Sequence, residues 1–443
     1  MAFPFAEEAR LDIKALERRF AAAWSRTDEI FRIVRNDDFR KRPIAWRHPV
    51  IFYAGHLPAF AWNQVCGGIL RQKSCDPYFD NLFSRGIDPD VDTGTCHSHP
   101  EPPDRWPAMP DVLKYRDKVR TAIVNSFGAV LDQDRTVLTM VLEHELMHQE
   151  TLLYMIQQLP PEGKTCPAGF SGYHFANEAV SRPVEIPGGV ARLGVRAEET
   201  DFGWDNEFQS AAVSVSGFGI DSLPVTNGRF LEFVEAGGYE DSSLWTKEDW
   251  EWKSQFGVSH PNIWIKQKRV WQYRTLFDLL PLSDVTSWPV YVSLAEANAY
   301  ARWKGGRLPT EAEFHRAAFS RPGATSRFQS RETEPSSAYG NLNFVNWAPV
   351  PSGSAPRGVS PWGVYELVGN GWEWTSTPFG PFPGFTPLQS YPEYSADFFD
   401  GKHFVLKGGS WATASGLLRP SFRNWYQAHY PYVFAKFRCV ADE

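Results

Sequence analysis

The chain has 443 residues, 42% hydrophobic and 22% charged, the balance of a soluble globular protein long enough for two or three domains. A net charge of -7 argues against nucleic acid or an anionic membrane surface as a partner, and no apolar stretch reaches the length of a membrane-crossing helix. The opening residues lack a basic region followed by an apolar core, and Cys66, Cys75, Cys96, Cys166 and Cys439 show no C-x-x-C spacing, so the expectation is a cytoplasmic protein without a signal peptide or disulfide framework.

The first 160 residues read as helices. LDIKALERRFAAAWSRTDEIFRIV carries apolar residues at helical spacing, and VLKYRDKVRTAIVNSF repeats the pattern. Between them, PVIFYAGHLPAFAWNQVCGGIL is a strongly apolar helix, with a bend expected near Pro58. The stretch from Asp76 to Pro110 is rich in Pro and Asp and reads as a long loop, a kind of segment often used for function. A fourth helical run starts near Arg135 and ends at Pro160, and the four together suggest an antiparallel bundle.

That fourth run contains LEHELMHQET, in which His144 and His148 are four residues apart. Residues at i and i+4 stack on one helix face, so the two imidazoles can share a metal ion. The face is otherwise apolar, with Val137, Met140, Val141, Thr151, Leu152 and Met155 on it, while Glu143, Glu145 and Gln149 point elsewhere. HELMH also matches H-E-x-x-H, the signature of zinc peptidases, with Glu145 as general base. The extended peptidase pattern needs a Gly and a third His soon after, which QETLLYMIQQLP lacks, although Glu162 or Glu178 could serve as a downstream ligand. On this motif alone, peptidase and oxygen-activating iron stand level, and a pair of ordinary core histidines is the bland alternative.

His56 lies on the other apolar helix, with Phe52, Tyr53, Ala59, Phe60 and Asn63 at helical offsets around it, where a structural core histidine and a third metal ligand stand level. Three neutral imidazoles from two helices would hold a divalent ion and leave open positions, an arrangement suited to Fe(II) with a substrate and O2. Glu145, about 100° around the helix from His144, is a poor ligand in that frame.

After Pro160 the character changes. PPEGKTCPAGFSGYHF reads as a linker, and PVEIPGGVARLGV opens a region of short strands and Gly/Pro turns that runs to the C-terminus. Its clearest helix is SLAEANAYARWKG, from Ser293 to Gly305.

In this half, WPVYVSLAEANAYARWKGGRLPTEAEFHRAA, WGVYELVGNGWEWTSTPF, FVLKGGSWATAS and FRNWYQAHYPYVFAKFRCV resemble the formylglycine-generating-enzyme (sulfatase-modifying-factor) fold. That fold is similar to C-type lectin domains and poor in regular structure. The formylglycine enzyme uses a cysteine pair near its C-terminus, where this chain has only Cys439, so that activity is not expected. A DinB-like bundle carrying H…H-x-x-x-H-Q-E joined to such a domain resembles the ergothioneine-biosynthetic sulfoxide synthases. The implied architecture is α+β: a DinB-like four-helix bundle over residues 1–165, a linker over 166–185, and a formylglycine-generating-enzyme-like domain over 186–443.

What the resemblance implies is chemistry at mononuclear Fe(II), held by His56, His144 and His148, that couples a thiol to the imidazole of hercynine with O2. The family's Asn-Trp pair, which contacts hercynine, matches Asn424 and Trp425. An aromatic face suits a quaternary ammonium. Three departures stand out. Mycobacterial-type members carry a catalytic tyrosine where this chain has Phe382 in FPGF, which leaves Tyr53, Tyr78, Tyr426 and Tyr430 as candidate proton donors. A glutamine before the second helix histidine is Met147 here, and an aspartate associated with γ-glutamylcysteine is Tyr426. Together they point to a subgroup that uses cysteine, its carboxylate held by an arginine such as Arg85.

RHPVIFYAGH and MHQET also resemble the ovothiol-pathway 5-histidylcysteine sulfoxide synthases, which act on unmethylated histidine. Those often continue into a methyltransferase domain, for which a chain ending at Glu443 leaves no room; hercynine is therefore the expected acceptor. A zinc peptidase and a lectin-like binding module on a structural bundle are the competing readings. Arg307, Glu311 and Glu313 in RLPTEAEF, with Trp372, Glu373 and Trp374 in GWEW, read as scaffold, and His97 and His99 as solvated.

Overall fold

The computed structural model describes residues 13–84, 88–90, 95–97, 103–320 and 339–442. The chain forms two compact units. The division falls inside a helix, between Leu152 and Leu153, and Pro89–Thr95 groups with the second unit. No described helix is long and apolar enough to cross a membrane.

In the first unit, α1 (Ile13–Ile33) buries Leu16, Phe20, Ala23, Thr27 and Ile30, the stripe that a 3.6-residue period places on one side. α2 (Val50–Ala61) is buried at all twelve positions. A helix apolar all round belongs at the centre of a bundle. Pro58 sits inside it, and beyond Ala61 the chain continues as a π-helical stretch, Trp62–Ile69, rather than as one uniform helix to Leu70. π turns of this kind are frequent at functional sites. α3 (Pro77–Leu82) occupies part of the expected loop. The Asp76 side chain accepts from the Phe79 N–H at 3.1 Å and starts this short helix, a local cap that the Pro/Asp-rich composition hides.

α4 (Met109–Leu131) and α5 (Thr136–Gln157) complete the bundle. Arg116 and Arg120 of α4 reach Asp28 of α1 at 3.0 and 2.8 Å, and Phe20 packs on Phe127 with ring centroids 5.2 Å apart. Asp134 Oδ1 accepts from the Thr136 N–H at 2.8 Å at the start of α5.

The second unit is built of short strands between irregular segments. β3 (Pro183–Ile186) and β14 (Val440–Asp442) flank β6 (Phe218–Asp221), and β4 (Gly189–Leu193) pairs with β5 (Ala211–Val215). A hairpin-like sheet joins β7 (Trp264–Gln267), β8 (Val270–Arg274) and β9 (Leu279–Pro281). The four-stranded sheet runs β12 (Asn424–Gln427), β11 (His403–Lys407), β10 (Trp372–Pro378), β13 (Ala435–Lys436). Two short strands in the first half, β1 (Asp88–Asp90) and β2 (Thr95–His97), pair with each other. The expected helix after Ser293 is present as Leu294–Trp303, closed at its start by a capping box between Ser293 and Glu296.

The core of this unit gathers Ile186, Ala191, Phe218, Ile220, Phe314 and Leu367. The residues read as scaffold behave as scaffold. Arg307 makes a two-pronged contact with Glu313 at 2.8 and 2.7 Å, Arg423 and Glu311 pair in the interior at 3.0 Å, and Trp372, Glu373 and Trp374 are fully buried. From Leu153 onward α5 belongs here too: the Tyr154 ring stands edge-on to Tyr426 and Tyr430, and Gln157 donates to the Arg274 carbonyl at 2.8 Å.

Candidate metal centre

His56 of α2 and His144 and His148 of α5 meet inside the first unit. One nitrogen from each lies within 4.8 Å of the other two, and among the described residues this is the group of three metal-binding side chains so placed. Ring centroids are 5.2 Å apart for His56 and His144, 5.0 Å for His56 and His148, and 4.2 Å within the α5 pair. Apolar rings hold them: Phe52 stacks on His56, and Phe60 lies 3.6 Å from His144 at an interplanar angle of 10°. His56 Nδ1 donates to the Phe83 carbonyl at 2.8 Å, which fixes the tautomer and leaves Nε2 as the donor atom toward a metal. Gly55 permits that contact. A Cβ there would stand 2.4 Å from the Phe83 ring, so any larger residue would push the ring, and the carbonyl with it, away. His148 Nδ1 makes the corresponding bond to the His144 carbonyl at 3.1 Å.

Burial lowers all three imidazoles: His56 to about 4 and His148 to about 3, with His144 also well below its ordinary value. They are neutral at pH 7, the form that ligates metal. Three neutral nitrogen donors with no carboxylate among them fit a divalent transition metal, iron(II) included.

Glu145 is elsewhere. Its side chain is buried along a cavity lined by Trp24, Thr27, Ala54, Pro58, Arg116 and Arg120, and burial raises its carboxyl above the usual range. That placement denies it the role of general base at the triad. Glu162 is exposed, and Glu178 bonds to Thr226 and Arg229 in the second unit. Glu145→Gln is accordingly expected to keep the metal content and most of the activity. A collapse of activity at unchanged metal content would restore the peptidase-type reading.

The four candidate tyrosines separate. Tyr53, one turn before His56 on α2, is 2% exposed and its ring centre lies 6.0 Å from that of His148. Tyr78 on α3 is 57% exposed. Tyr426 and Tyr430 belong to the second unit, where they stack on each other with centroids 5.4 Å apart. Met147 is half-buried beside His148. Phe382 is a core residue of the second unit, with the Arg423 guanidinium 4.4 Å from its ring centre. Trp425 is half-buried on β12, stacked on Phe379 at 4.2 Å, with Tyr394 edge-on and Phe398 beside it. Asn424 caps the Trp425 N–H through its Oδ1 at 2.9 Å. Arg85 and His99, and the side chain of His97, lie outside the described residues. Sequence reasoning missed Arg47, whose guanidinium hydrogen-bonds the Tyr53 hydroxyl; its signal was its place in RHPVIFYAGH, the segment that also supplies His56.

Comparison with known proteins places the chain in a family. The Sulfatase-modifying factor enzyme 1-like domain matches residues 174–443. Hercynine oxygenase of Mycolicibacterium smegmatis is 35% identical over 350 residues, covering 76% of this chain and 79% of that protein, an alignment longer than the matched domain. Ergothioneine biosynthesis protein 1 of Neurospora crassa is 31% identical over 504 residues and covers 95% of this chain, which spans 57% of that relative's length. Formylglycine-generating enzyme of Mycobacterium tuberculosis is 31% identical over 303 residues, covering 58% of this chain and 97% of that protein. With its histidine-bearing helices and its C-terminal sulfatase-modifying-factor-like domain, the chain belongs to the family of hercynine oxygenases and ergothioneine biosynthesis proteins.

Proposed function

We propose that this protein is an iron(II)- and O2-dependent sulfoxide synthase that joins the sulfur of cysteine to the imidazole carbon of hercynine in ergothioneine biosynthesis. The observation that carries the proposal is the buried set of three neutral imidazoles from α2 and α5, free of any carboxylate. The reaction balances as thiol plus imidazole plus O2 giving sulfoxide plus water: a C–S bond forms, the S–H and imidazole C–H bonds break, one oxygen goes to sulfur, and the other leaves with the two hydrogens. Bound iron would supply O2 activation and hold the sulfur as thiolate.

The chain's own groups do the rest. His56, His144 and His148 hold the ion, and the Phe83 carbonyl keeps the His56 ring in register. Tyr53, not Phe382, supplies a hydroxyl proton near the triad, its ring centre 6.0 Å from that of His148 in the same unit. Trp425, backed by Phe379, offers an aromatic face to the trimethylammonium of hercynine, and Asn424 sets the backbone beside it. Tyr426 supplies no negative charge for a γ-glutamyl ammonium, which favours cysteine over γ-glutamylcysteine.

Anaerobic reconstitution with Fe(II), followed by O2 and mass spectrometry, tests the reading. Hercynine or histidine is offered with cysteine or γ-glutamylcysteine, and the hercynine–cysteine sulfoxide is the expected main product. Equal turnover of histidine would favour the 5-histidylcysteine chemistry of the ovothiol type, and preferred use of γ-glutamylcysteine would overturn the donor assignment. Trp425→Ala is expected to weaken hercynine binding by about 1–2 kcal/mol, roughly tenfold, with little change for histidine. Equal losses for both acceptors would remove Trp425 from the ammonium site.

A further inference from the structure

The bond that fixes the His56 ring depends on a helix too short to hold itself in place. The Phe83 carbonyl that accepts from His56 Nδ1 at 2.8 Å lies at the end of α3, a helix of six residues. A carbonyl there has no partner within its own helix, so the imidazole satisfies it while it orients the imidazole. An isolated helix of that length is not stable in water, and its position has to come from its anchors. Asp80 provides several of them. Its carboxylate is 7% exposed, accepts from the Tyr115 hydroxyl of α4 at 2.5 Å, and also accepts from the Ser74 hydroxyl in the segment ahead of α3. Its own carbonyl accepts from Asn63 Nδ2 at 3.2 Å, in the π-helical stretch that continues α2. Ring contacts back these bonds: Phe79 stands edge-on to Tyr115 with centroids 5.3 Å apart, and Phe83 is fully buried. One residue thus ties α3 to α4 and to the continuation of α2, three positions before the carbonyl that His56 uses.

We propose that Asp80 is the positioning residue for His56: through Tyr115 and Ser74 it holds α3 so that the Phe83 carbonyl keeps the imidazole turned with Nε2 toward the metal. The inference rests on the three-histidine centre of the proposed function and not on its substrates. A carboxylate suits the task because hydroxyl donors bond to a charged oxygen more tightly than to a neutral one. Without that anchor α3 shifts, the carbonyl leaves the imidazole, and the His56 ring regains rotational freedom that metal binding must then remove. His148 is independent of this device. Its Nδ1 bonds the His144 carbonyl one turn back on α5 itself, at 3.1 Å, so nothing on α3 orients it. The two imidazoles therefore separate a local positioning effect from a general loosening of the bundle.

The test reads the two ring N–H groups directly, in the metal-free protein, by NMR after isotopic labelling of the histidine nitrogens. In the parent both Nδ1–H protons should exchange slowly with water. Asp80→Ala should speed exchange at His56 by at least about tenfold, the shift expected when a hydrogen bond to a charged group is lost, and leave His148 unchanged. Tyr115→Phe keeps the ring and removes only the hydroxyl. It should move His56 in the same direction, and it carries the comparison if the alanine variant does not fold. The double variant should go no further than Asp80→Ala, because both substitutions act through one bond. Asp80→Asn still accepts from Tyr115 and should recover most of the protection. Fe(II) affinity, measured by anaerobic equilibrium dialysis, should follow the same order and fall about tenfold in Asp80→Ala, the lower end of the range for loss of an outer-shell partner. Unchanged exchange at His56 in Asp80→Ala and Tyr115→Phe, or equal acceleration at His148, overturns the proposal. Failure of the metal-centre reading shows differently: His56 protection would still depend on Asp80, but the parent protein would take up no Fe(II).

Discussion

Alanine at His56, His144 or His148 is expected to cut iron binding by more than about 100-fold, beyond the ~10–100-fold loss typical when only an outer-shell partner of a ligand is removed. Each variant takes one donor from a set of three, and no other described His, Cys, Asp or Glu stands close enough to replace it. The fold should survive, because the rings are neutral and packed against Phe52 and Phe60 rather than tied into an ion-pair network. Iron content by metal analysis, read beside circular dichroism, makes the measurement. Full retention of iron in His56→Ala would remove α2 from the centre and leave an i, i+4 pair on α5. Gly55→Ala should produce a weaker form of the same defect, since it displaces Phe83 and with it the carbonyl that orients His56.

The largest stability effect is expected in the second unit, at Glu373. This carboxylate on β10 has no exposed surface and pairs with Lys436 at 2.5 Å and with Arg438, both equally buried. Burial opposes its charge, yet Arg438 and Lys436 outweigh burial and hold the carboxyl below the usual range. Glu373→Ala strands two cations in the interior, and breaking a buried pair in this way costs about 3–5 kcal/mol. The midpoint of thermal unfolding of that unit should fall by roughly 10 °C. Iron content measured at low temperature should stay near that of the parent. A fall of only a degree or two would mean that water reaches the cluster and that the two cations are solvated once the carboxylate is gone.

Some of this protein was legible in local sequence. The apolar stripes of α1, α4 and α5 repeat at a period that backbone geometry alone imposes, and the four-residue spacing of His144 and His148 sets both rings on one face before any packing is known. The capping box at Ser293 and Glu296 likewise needs only neighbours a few residues apart. The C-terminal domain was readable through its motifs, not its periodicity, because its short strands leave little regular pattern.

Other features depend on which faces meet, and local pattern does not encode that. HELMH is compatible with a glutamate base until Glu145 is seen turned into a cavity lined by Trp24 and Arg120, on another side of α5. Four tyrosines were equivalent as letters; packing sets Tyr53 beside His148, leaves Tyr78 in solvent, and commits Tyr426 and Tyr430 to a stack in the second unit. The six-residue α3 and the π-helical continuation of α2 also escaped, since one rests on a single side-chain cap and the other on a register shift within an unbroken apolar run. Arg47 was one cation among 45 Lys and Arg residues. The fold brings the turn ahead of α2 to the Tyr53 hydroxyl and so sets a positive charge near His148.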